Sequence, residues 1–439
     1  MKVSILIPSR NGVEFLEWSY NSIRKNQGNH TVEILVLDDI SDKDNTWDWC
    51  VKVMKDDPLF KAFRNTSSVR LGISGGHKFL SEKATMEVIC HWHNDMYLTE
   101  TALDQVHDQL YMTIPDLDPE NIGPSAMTPI GIHPLTSIVN ENVCVCLTRI
   151  EPGMNYQPGP EKVVWNNAPV EFDEWNEDLF LQDLPNLKLE WNEKVTGGHF
   201  APYFIGTKIY RELGSNDTKT FPFQSREDSD FGFRLVLAGI KTIQIPAFVF
   251  HFASRGNRRN KYETNTLKDN PDWINHNVKA TRNFIRKWQT LQLHDNLLTP
   301  TPPKRYEISF IVTNCTNSYL ELLEPWCDYM ITDISDWAKI QYIEREQNNT
   351  MFDLEKKFGS LVYPQLSNIG VEIDCNKFNQ QDFNSIQNIS ALATEANKIG
   401  KYEVGNLKIH INKLNSYENK LINPESDYLN SKLLHREYE

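Results

Sequence analysis

The chain has 439 residues, of which 40% are hydrophobic and 24% are charged, and its formal net charge is -14. This length exceeds one ordinary core and predicts two or three domains of a globular protein. The acidic balance argues against a nucleic-acid partner, which requires clustered Lys and Arg, and no stretch reaches the roughly 18 apolar residues of a membrane span.

The opening segment and the cysteines predict a soluble, cytoplasmic protein. MKVSILIPSRNG is too short and too polar for a signal peptide and predicts a first strand. The seven cysteines are odd in number and scattered, as expected of reduced thiols. Cys144 and Cys146 lie two apart without a second pair at zinc-site spacing, and no Cys or His pair is placed to complete a zinc site with His91 and His93.

Apolar runs alternate with helical patterns through the first third of the chain. The predicted strands are residues 3–7, 32–37, 69–71 and 88–92. The predicted helices begin after each strand, and the second of them covers residues 42–63. This alternation predicts an α/β fold with a mostly parallel sheet flanked by helices.

Polar residues follow each predicted strand. Pro8 to Asn11 follow the first, Asp38 and Asp39 the second, Gly72 the third, and His93 to Asp95 the fourth. Ligands of such sheets bind beyond the carboxyl ends of the strands, so these residues are expected to line one crevice.

The rest of the chain predicts an insert and a second domain. Residues 151–195 are rich in Pro, Asn, Asp, Glu and Trp, which predicts an acceptor-side insert or lid. Residues 241–252 predict a late strand. Residues 298–304 predict a linker that separates residues 1–297 from a small α/β domain, 305–439, whose role is unknown.

Six motifs occur in an order typical of one enzyme family: SILIPSRNG, LVLDDISD, RLGISGGHK, HWHNDMYLT, FQSREDSDFGFRLVLAGIK and VFHFASRGNRR. Together, over residues 2–259, they resemble a family 2 glycosyltransferase of the GT-A fold. The resemblance implies an inverting, metal-dependent hexosyltransferase that uses a nucleotide-sugar donor, with UDP as the expected nucleotide, and a glycan or other hydroxyl acceptor.

The resemblance implies that Asp95 and His251 bind the metal. Carboxylates suit hard cations and Mn²⁺ also accepts imidazole, so Mn²⁺ or Mg²⁺ is expected. His93 stands where the family's Asp-x-Asp motif has its first Asp, and this replacement is compatible with the family if that position contacts the nucleotide rather than the metal. Two alternatives remain open, namely that Asp95 caps a helix and that His251 is a core histidine.

The same motifs imply a set of nucleotide-sugar-binding residues. These are Pro8, Arg10, Asn11, Asp38, Asp39, Arg70, Gly72, His77, His93, Asn94 and Asp95. Asp39 is the expected contact to the base or ribose, although DISDKD is also a plausible solvated turn.

Inverting transfer needs a base for the acceptor hydroxyl. Asp228 matches the family position, with Asp230 second and Glu227 beside it; acids at a helix start are the alternative explanation. Gly198, His199 and Trp191 are the predicted acceptor contacts. His199 is equally well explained as a structural histidine, and Trp191, like Trp165 and Trp175, as part of the insert's own core.

Two other functions remain open. A nucleotidyltransferase shares the fold and the metal requirement, but it usually has a Gly-rich basic loop after the first strand, unlike Pro8 to Asn11. A non-catalytic glycan-binding protein would lack metal binding. A homo-oligomer is compatible with the sequence.

Overall fold

A computed structural model describes residues 1–115, 135–153, 159–169, 171–191, 196–255, 258–259, 268–358 and 366–426. The strands are β1 (Lys2–Ser9), β2 (Thr31–Asp38), β3 (Phe60–Arg64), β4 (Val88–His91), β5 (Met96–Leu98), β6 (Tyr111–Pro115), β7 (Leu135–Val139), β8 (Val143–Pro152), β9 (Lys162–Trp165), β10 (Tyr203–Gly206), β11 (Lys241–His251), β12 (Ile308–Thr313), β13 (Tyr329–Thr332), β14 (Ile369–Asp374), β15 (Gly400–Val404) and β16 (Leu407–Ile411).

The helices are α1 (Val13–Asn26), α2 (Thr46–Asp56), α3 (Gly72–Lys83), α4 (Ala102–Leu110), α5 (Glu177–Glu190), α6 (Thr207–Glu212), α7 (Glu227–Leu237), α8 (Pro271–Trp288), α9 (Asn317–Leu323), α10 (Asp336–Gln347), α11 (Leu354–Phe358), α12 (Gln380–Gln387) and α13 (Ile389–Ala396). Short 3-10 helices cover Phe172–Glu174, Glu324–Trp326 and Glu418–Leu421. No helix in the described part of the chain has the length and apolar character that a membrane crossing requires.

The chain divides into two compact units. The first comprises Met1–Ser68, Phe79–Arg211 and Ile240–Gly256, and the second comprises Val69–Lys78, Glu212–Gly239 and Asn257–Glu439.

The first unit contains a nine-stranded sheet in the order β3-β2-β1-β4-β10-β8-β11-β5, with β9 paired to β8. β1, β2, β3 and β4 are parallel to their neighbours within this group, and β8 is parallel to β9 and β11. β1 and β2 are almost continuously buried because helices cover both faces of a sheet of this kind. The predicted α/β fold with a mostly parallel sheet is confirmed.

The third strand lies elsewhere than predicted. β3 occupies Phe60–Arg64, inside the predicted helix 42–63, and residues 69–71 are not in a strand. Pro58 explains the difference. Proline cannot continue a helix and keeps the residue before it extended, as Asp57 is (φ -124°, ψ 103°), so α2 stops and a new strand begins.

The insert predicted at 151–195 has regular structure within its described residues, namely β9, Phe172–Glu174 and α5. Residues 154–158, 170 and 192–195 lie outside the described part. Trp165 and Phe180 are buried in an aromatic cluster with Trp18 from α1 and Phe250 from β11. The insert therefore packs against α1 and β11 through a shared aromatic core, and its predicted role as a lid stays a prediction.

The second unit contains a five-stranded sheet in the order β13-β12-β14-β16-β15. The predicted linker, 298–304, lies within this unit. Arg305 Nε donates to the Lys287 carbonyl at 2.9 Å and its Nη2 to the Arg286 carbonyl at 3.2 Å, so contacts of this unit join the two sides of that segment. The domain boundary, the oligomeric state and the cytoplasmic location stay predictions.

Candidate functional site

The segments that follow β1, β2 and β4 contact one another. The Asp39 N–H donates to the Ser9 carbonyl at 2.9 Å, and Asn94 Nδ2 donates to Ser9 Oγ at 3.1 Å. Pro8 lies at the end of β1, in register with Leu37 of β2. Parallel strands end at a common edge, and for this reason the predicted polar residues of the first unit lie close together.

Asn11 connects the first two of these segments. Its Oδ1 accepts the N–H groups of Asp42 (2.8 Å) and Lys43 (3.0 Å), and its Nδ2 donates to Asp42 Oδ1 at 2.9 Å. The Asn11 N–H donates to Ser41 Oγ at 3.0 Å, and Arg10 lies 3.4 Å from the Asp42 carboxylate. Asn11 has φ +49°, which Asn tolerates better than most residues. Its amide thus holds the loop geometry.

Asp38 and Asp39 differ in their surroundings. Asp38 is fully buried, its Oδ1 accepts the Ser41 N–H at 3.0 Å, and its Oδ2 lies 3.5 Å from Arg64 Nε. Burial raises the pKa of the Asp38 carboxyl, against the opposing hydrogen bonds from Ser41. Asp39 Oδ1 accepts a 2.7 Å hydrogen bond from Asn65 Nδ2.

His93, Asp95 and His251 form a cluster in which one possible metal-ligand atom from each lies within 4.8 Å of the others. Antiparallel pairing of β5 and β11 places His251 opposite Met96, next to Asp95. His251 Nε2 lies 3.4 Å from Asp95 Oδ1, and the His93 and His251 ring centroids are 5.6 Å apart. The Arg255 N–H donates to Asp95 Oδ2 at 3.2 Å, which leaves Oδ1 facing the histidine.

Glu151 completes this cluster, and the sequence analysis missed it. Its Oε1 accepts a hydrogen bond from His251 Nδ1 at 2.9 Å, and Lys162 and Arg149 lie 3.2 and 3.4 Å from its carboxylate. With Nδ1 bonded to Glu151, the other ring nitrogen, Nε2, faces Asp95. Metal-binding histidines commonly have a carboxylate partner of this kind.

The electrostatics keep the carboxylates ionised. Burial alone would raise the pKa of Asp95, but His251, His93 and the Arg255 N–H lower it to about 2. Burial alone would lower the pKa of His251, but Asp95 and Glu151 raise it to about 9. Burial also opposes ionisation of Glu151, yet Arg149, His251 and Lys162 hold its pKa well below the usual range.

These residues fit a divalent cation. The buried Nε2 of His251 has no hydrogen-bond partner of good geometry among the described residues, although the Asp95 carboxylate faces it. A cation held between them would take the place of the imidazole proton. One carboxylate and two imidazoles are a donor set that Mn²⁺ accepts.

Three of the residues predicted to bind the nucleotide-sugar donor lie in the second unit. Gly72 begins α3 with φ +63°, and a Cβ there would lie 2.6 Å from the Phe223 carbonyl oxygen, so only glycine fits. The Ser74 N–H donates to the same carbonyl at 2.8 Å. Arg70 precedes this contact, and His77 is buried within α3. Their predicted roles towards the donor stay predictions.

The three predicted acids also lie in the second unit, in the first turn of α7. Asp228 is exposed, whereas Asp230 is fully buried. Arg234 Nε donates to Asp230 Oδ2 at 2.8 Å, and Trp288 Nε1 donates to Oδ1 at 2.9 Å. Asp230 is therefore buried with both carboxylate oxygens bonded, and its place as second choice for the base stays a prediction.

Glu227 has an unusual environment. Its Oε2 is buried without a hydrogen-bond partner among the described residues. Burial and the neighbouring Asp228 charge raise its pKa to about 8.

The predicted acceptor residues have other contacts. Trp191 is buried against Phe248, and its Nε1 donates to the Pro160 carbonyl at 3.2 Å. This placement agrees with the alternative of a core residue, and the acceptor contact of Trp191 stays a prediction. The Gly198 N–H donates to Thr196 Oγ1 at 3.4 Å, and His199 packs on Tyr203 with ring centroids 4.2 Å apart.

A family model described as Glycosyl transferase family 2 matches residues 4–110, from β1 to the end of α4. This match confirms the resemblance and, with the mostly parallel sheet, the predicted GT-A type of fold. His251 and Glu151 lie beyond the matched residues. No curated protein matches the chain in sequence.

Three solved structures resemble parts of the chain. "Crystal structure of GalNAc-T7 with UDP, GalNAc and Mn2+" has 15% identity and a TM-score of 0.38, covering 65% of this chain and 48% of its own. Mannosyltransferase PcManGT from Pyrobaculum calidifontis, in complex with GDP-Man and Mn2+, has 14% identity and a TM-score of 0.38, and the match covers 65% of this chain and 63% of that one. S. aureus TarS has 15% identity and a TM-score of 0.36, and the match covers 58% of this chain and 37% of that one. The chain spans less than two thirds of each.

Proposed function

Because residues 4–110 match the Glycosyl transferase family 2 model, we propose that this chain is a glycosyltransferase. It moves a sugar from a nucleotide-sugar donor to a hydroxyl of a glycan or other acceptor. The observation that carries the proposal is the cluster of His93, Asp95 and His251 at the carboxyl edge of the sheet, with Glu151 bonded to His251.

In this proposal, Asp95 and His251 hold Mn²⁺, and His93 lies beside them. When bound, such a cation neutralises negative charge that builds on a departing nucleoside diphosphate. Glu151 keeps His251 in the tautomer that presents Nε2. The buried Asp95 carboxylate, ionised over the physiological pH range, draws the cation to this edge.

The nucleotide would bind against the segments after β1 and β2. Asn11 and Ser41 fix the shape of this surface, so the loop is already ordered before the nucleotide binds. Asp39 is the proposed contact to the base or ribose, and Arg10 is near enough to the same loop to add a positive charge. UDP is the nucleotide we would test first.

Asp228 stays our prediction for the acceptor base. It stands exposed at the start of α7. Inversion at C1 is likewise part of the proposal, and the anomeric configuration of the product, read by NMR, tests it.

The primary experiment measures nucleoside diphosphate released from a panel of nucleotide sugars, with Mn²⁺ or with EDTA. We expect release from one donor only with metal, and loss of at least 100-fold in Asp95→Ala (on the order of the loss for a metal ligand). His107→Ala, which changes a half-buried histidine of the same unit outside the cluster, is the matched control and should retain activity.

Two results would overturn the proposal. If no donor in the panel releases nucleoside diphosphate and calorimetry detects no Mn²⁺ binding, a non-catalytic glycan-binding protein is favoured. Pyrophosphate release from nucleoside triphosphates, without diphosphate release from sugar donors, would favour a nucleotidyltransferase.

A further inference from the structure

A second group of possible metal ligands lies in the first unit, away from the Asp95 cluster. Cys144, Cys146 and His199 each offer one ligand atom, and these atoms all lie within 4.8 Å of one another. Cys144 Sγ is 3.9 Å from His199 Nδ1. Both cysteines are fully buried, and His199 is partly buried.

Strand geometry accounts for the pairing of the two thiols. Residues two apart on a strand point to the same face, and β8 carries Cys144 and Cys146 on one face. Val145 and Leu147, between and after them, belong to the core cluster on the other face. The thiols are therefore directed away from that core.

The histidine is held by its own neighbours. Its ring packs on Tyr203, which lies opposite Cys146 in the β8–β10 pairing. The segment before it is tied to β11: Thr196 Oγ1 donates to Gln244 Oε1 at 3.0 Å, and the Gln244 N–H donates to the Thr196 carbonyl at 3.2 Å. The imidazole thus reaches the thiols from a fixed segment.

We propose that Cys144, Cys146 and His199 bind a Zn²⁺ ion at a site separate from the Mn²⁺ site. Two thiolates and an imidazole are soft and borderline ligands that favour Zn²⁺ over Mn²⁺ or Mg²⁺. Three protein ligands leave one tetrahedral position for water or another ligand. Binding would join β8 to the segment that leads into β10.

The two sites share a strand but not a position. Cys146 and Glu151 are both on β8, and five residues of strand span roughly 16 Å.

The test uses the full chain, purified under reducing conditions. Bound zinc is first measured by elemental mass spectrometry; zinc is then removed and the protein titrated with Co²⁺. We expect one equivalent of Co²⁺ to produce the thiolate-to-metal charge-transfer absorption, which the Asp95 cluster cannot produce because it has no thiol. Asp95→Ala should retain this band.

The variant Cys144→Ala/Cys146→Ala should lose the band, whereas Cys90→Ala, a buried cysteine of β4 on the core face, should keep it. If the double variant does not fold, His199→Gln replaces it and should reduce Co²⁺ affinity at least tenfold. A wild-type protein without charge-transfer absorption at saturating Co²⁺ would refute the site. A charge-transfer band that persists in the double cysteine variant would also refute the site. A Cys144–Cys146 disulfide, detected by mass spectrometry in protein purified under reducing conditions, would do the same.

Discussion

Glu151 accepts a 2.9 Å hydrogen bond from His251 across a sequence separation of 100 residues. The bond joins the end of β8 to the end of β11, two parallel neighbours in the sheet. It leaves the second imidazole nitrogen facing Asp95, so Glu151 determines how the His251 ring is oriented.

Glu151→Gln tests this positioning role. Glutamine keeps the size of the side chain but loses the charge, so His251 is held in its tautomer less firmly. We expect Mn²⁺ affinity to fall about 10- to 100-fold, as for other carboxylate partners of metal-bound histidines. Free Mn²⁺, followed by electron paramagnetic resonance during a titration, measures the change. Glu161→Gln is the matched control, because Glu161 also lies near Arg149 and Lys162. Equal affinities for the two variants would contradict the role.

Asn11→Ala should destabilise the loops at the carboxyl edge of the sheet. The variant removes the acceptor of two backbone N–H groups and places alanine at φ +49°. We expect the free energy of unfolding to fall by about 1–3 kcal/mol, measured by urea denaturation. Asn167→Ala, which removes a single exposed hydrogen bond to Asp183, should change it by less than about 0.5 kcal/mol. A loss no larger than that of the control would refute the assigned role of the Asn11 amide.

Glu227 predicts a particular pH dependence. Its pKa is raised to about 8 in the folded chain, whereas an unfolded chain ionises it near its ordinary value. Between these values the folded state holds a proton that the unfolded state has lost, so this group lowers stability as pH rises. Glu227→Gln removes the effect. Its stability relative to wild type should therefore be greater at pH 8 than at pH 5, by roughly 2–4 kcal/mol.

Urea denaturation at both pH values measures this difference. Glu395→Gln, an exposed glutamate of the same unit, serves as the control and should show no such pH-dependent gain. A Glu227→Gln advantage that is equal at both pH values would show that the carboxyl is not protonated in the folded chain.

Glu324 holds together a buried charge network in the second unit. It is fully buried and lies 2.6 Å from both Arg286 and Lys357, while Tyr342 donates to it at 2.8 Å. Glu324→Gln leaves two buried cations with one carboxylate fewer. We expect a loss of about 3–5 kcal/mol in unfolding free energy, against less than about 1 kcal/mol for Glu321→Gln, an exposed partner of Arg345. Equal losses would disprove the role of the network.

The sequence predicted those features that depend on local pattern. Continuous apolar runs identified β1, β2 and β4, and the polar residues after them lie together because parallel strands share an edge. It misplaced β3, although Pro58 was a signal against a helix through that position. It placed Asp95 and His251 by resemblance, and the structure brings them within 3.4 Å.

Partners that are distant in sequence were beyond its reach. Glu151 fell at the start of an aperiodic insert, with nothing local to single it out. Cys144 and Cys146 were noted as a pair without further metal ligands, because His199 follows only after more than 50 residues and on a different segment. Trp191 showed its size and type, but neither reveals whether a ring faces solvent or a core.

The assignment of α7 and residues 69–78 to the second unit has consequences for folding during synthesis and for truncation of the chain. The chain passes between units after Ser68, Lys78, Arg211, Gly239 and Gly256. A ribosome must therefore release residues through β11 before the nine-stranded sheet can close, since β11 joins β8 to β5. A truncation before residue 298 would also leave α8 without Met351 and Phe352, against which Phe284 is buried. Expression of the first 297 residues alone should yield aggregates rather than a folded enzyme.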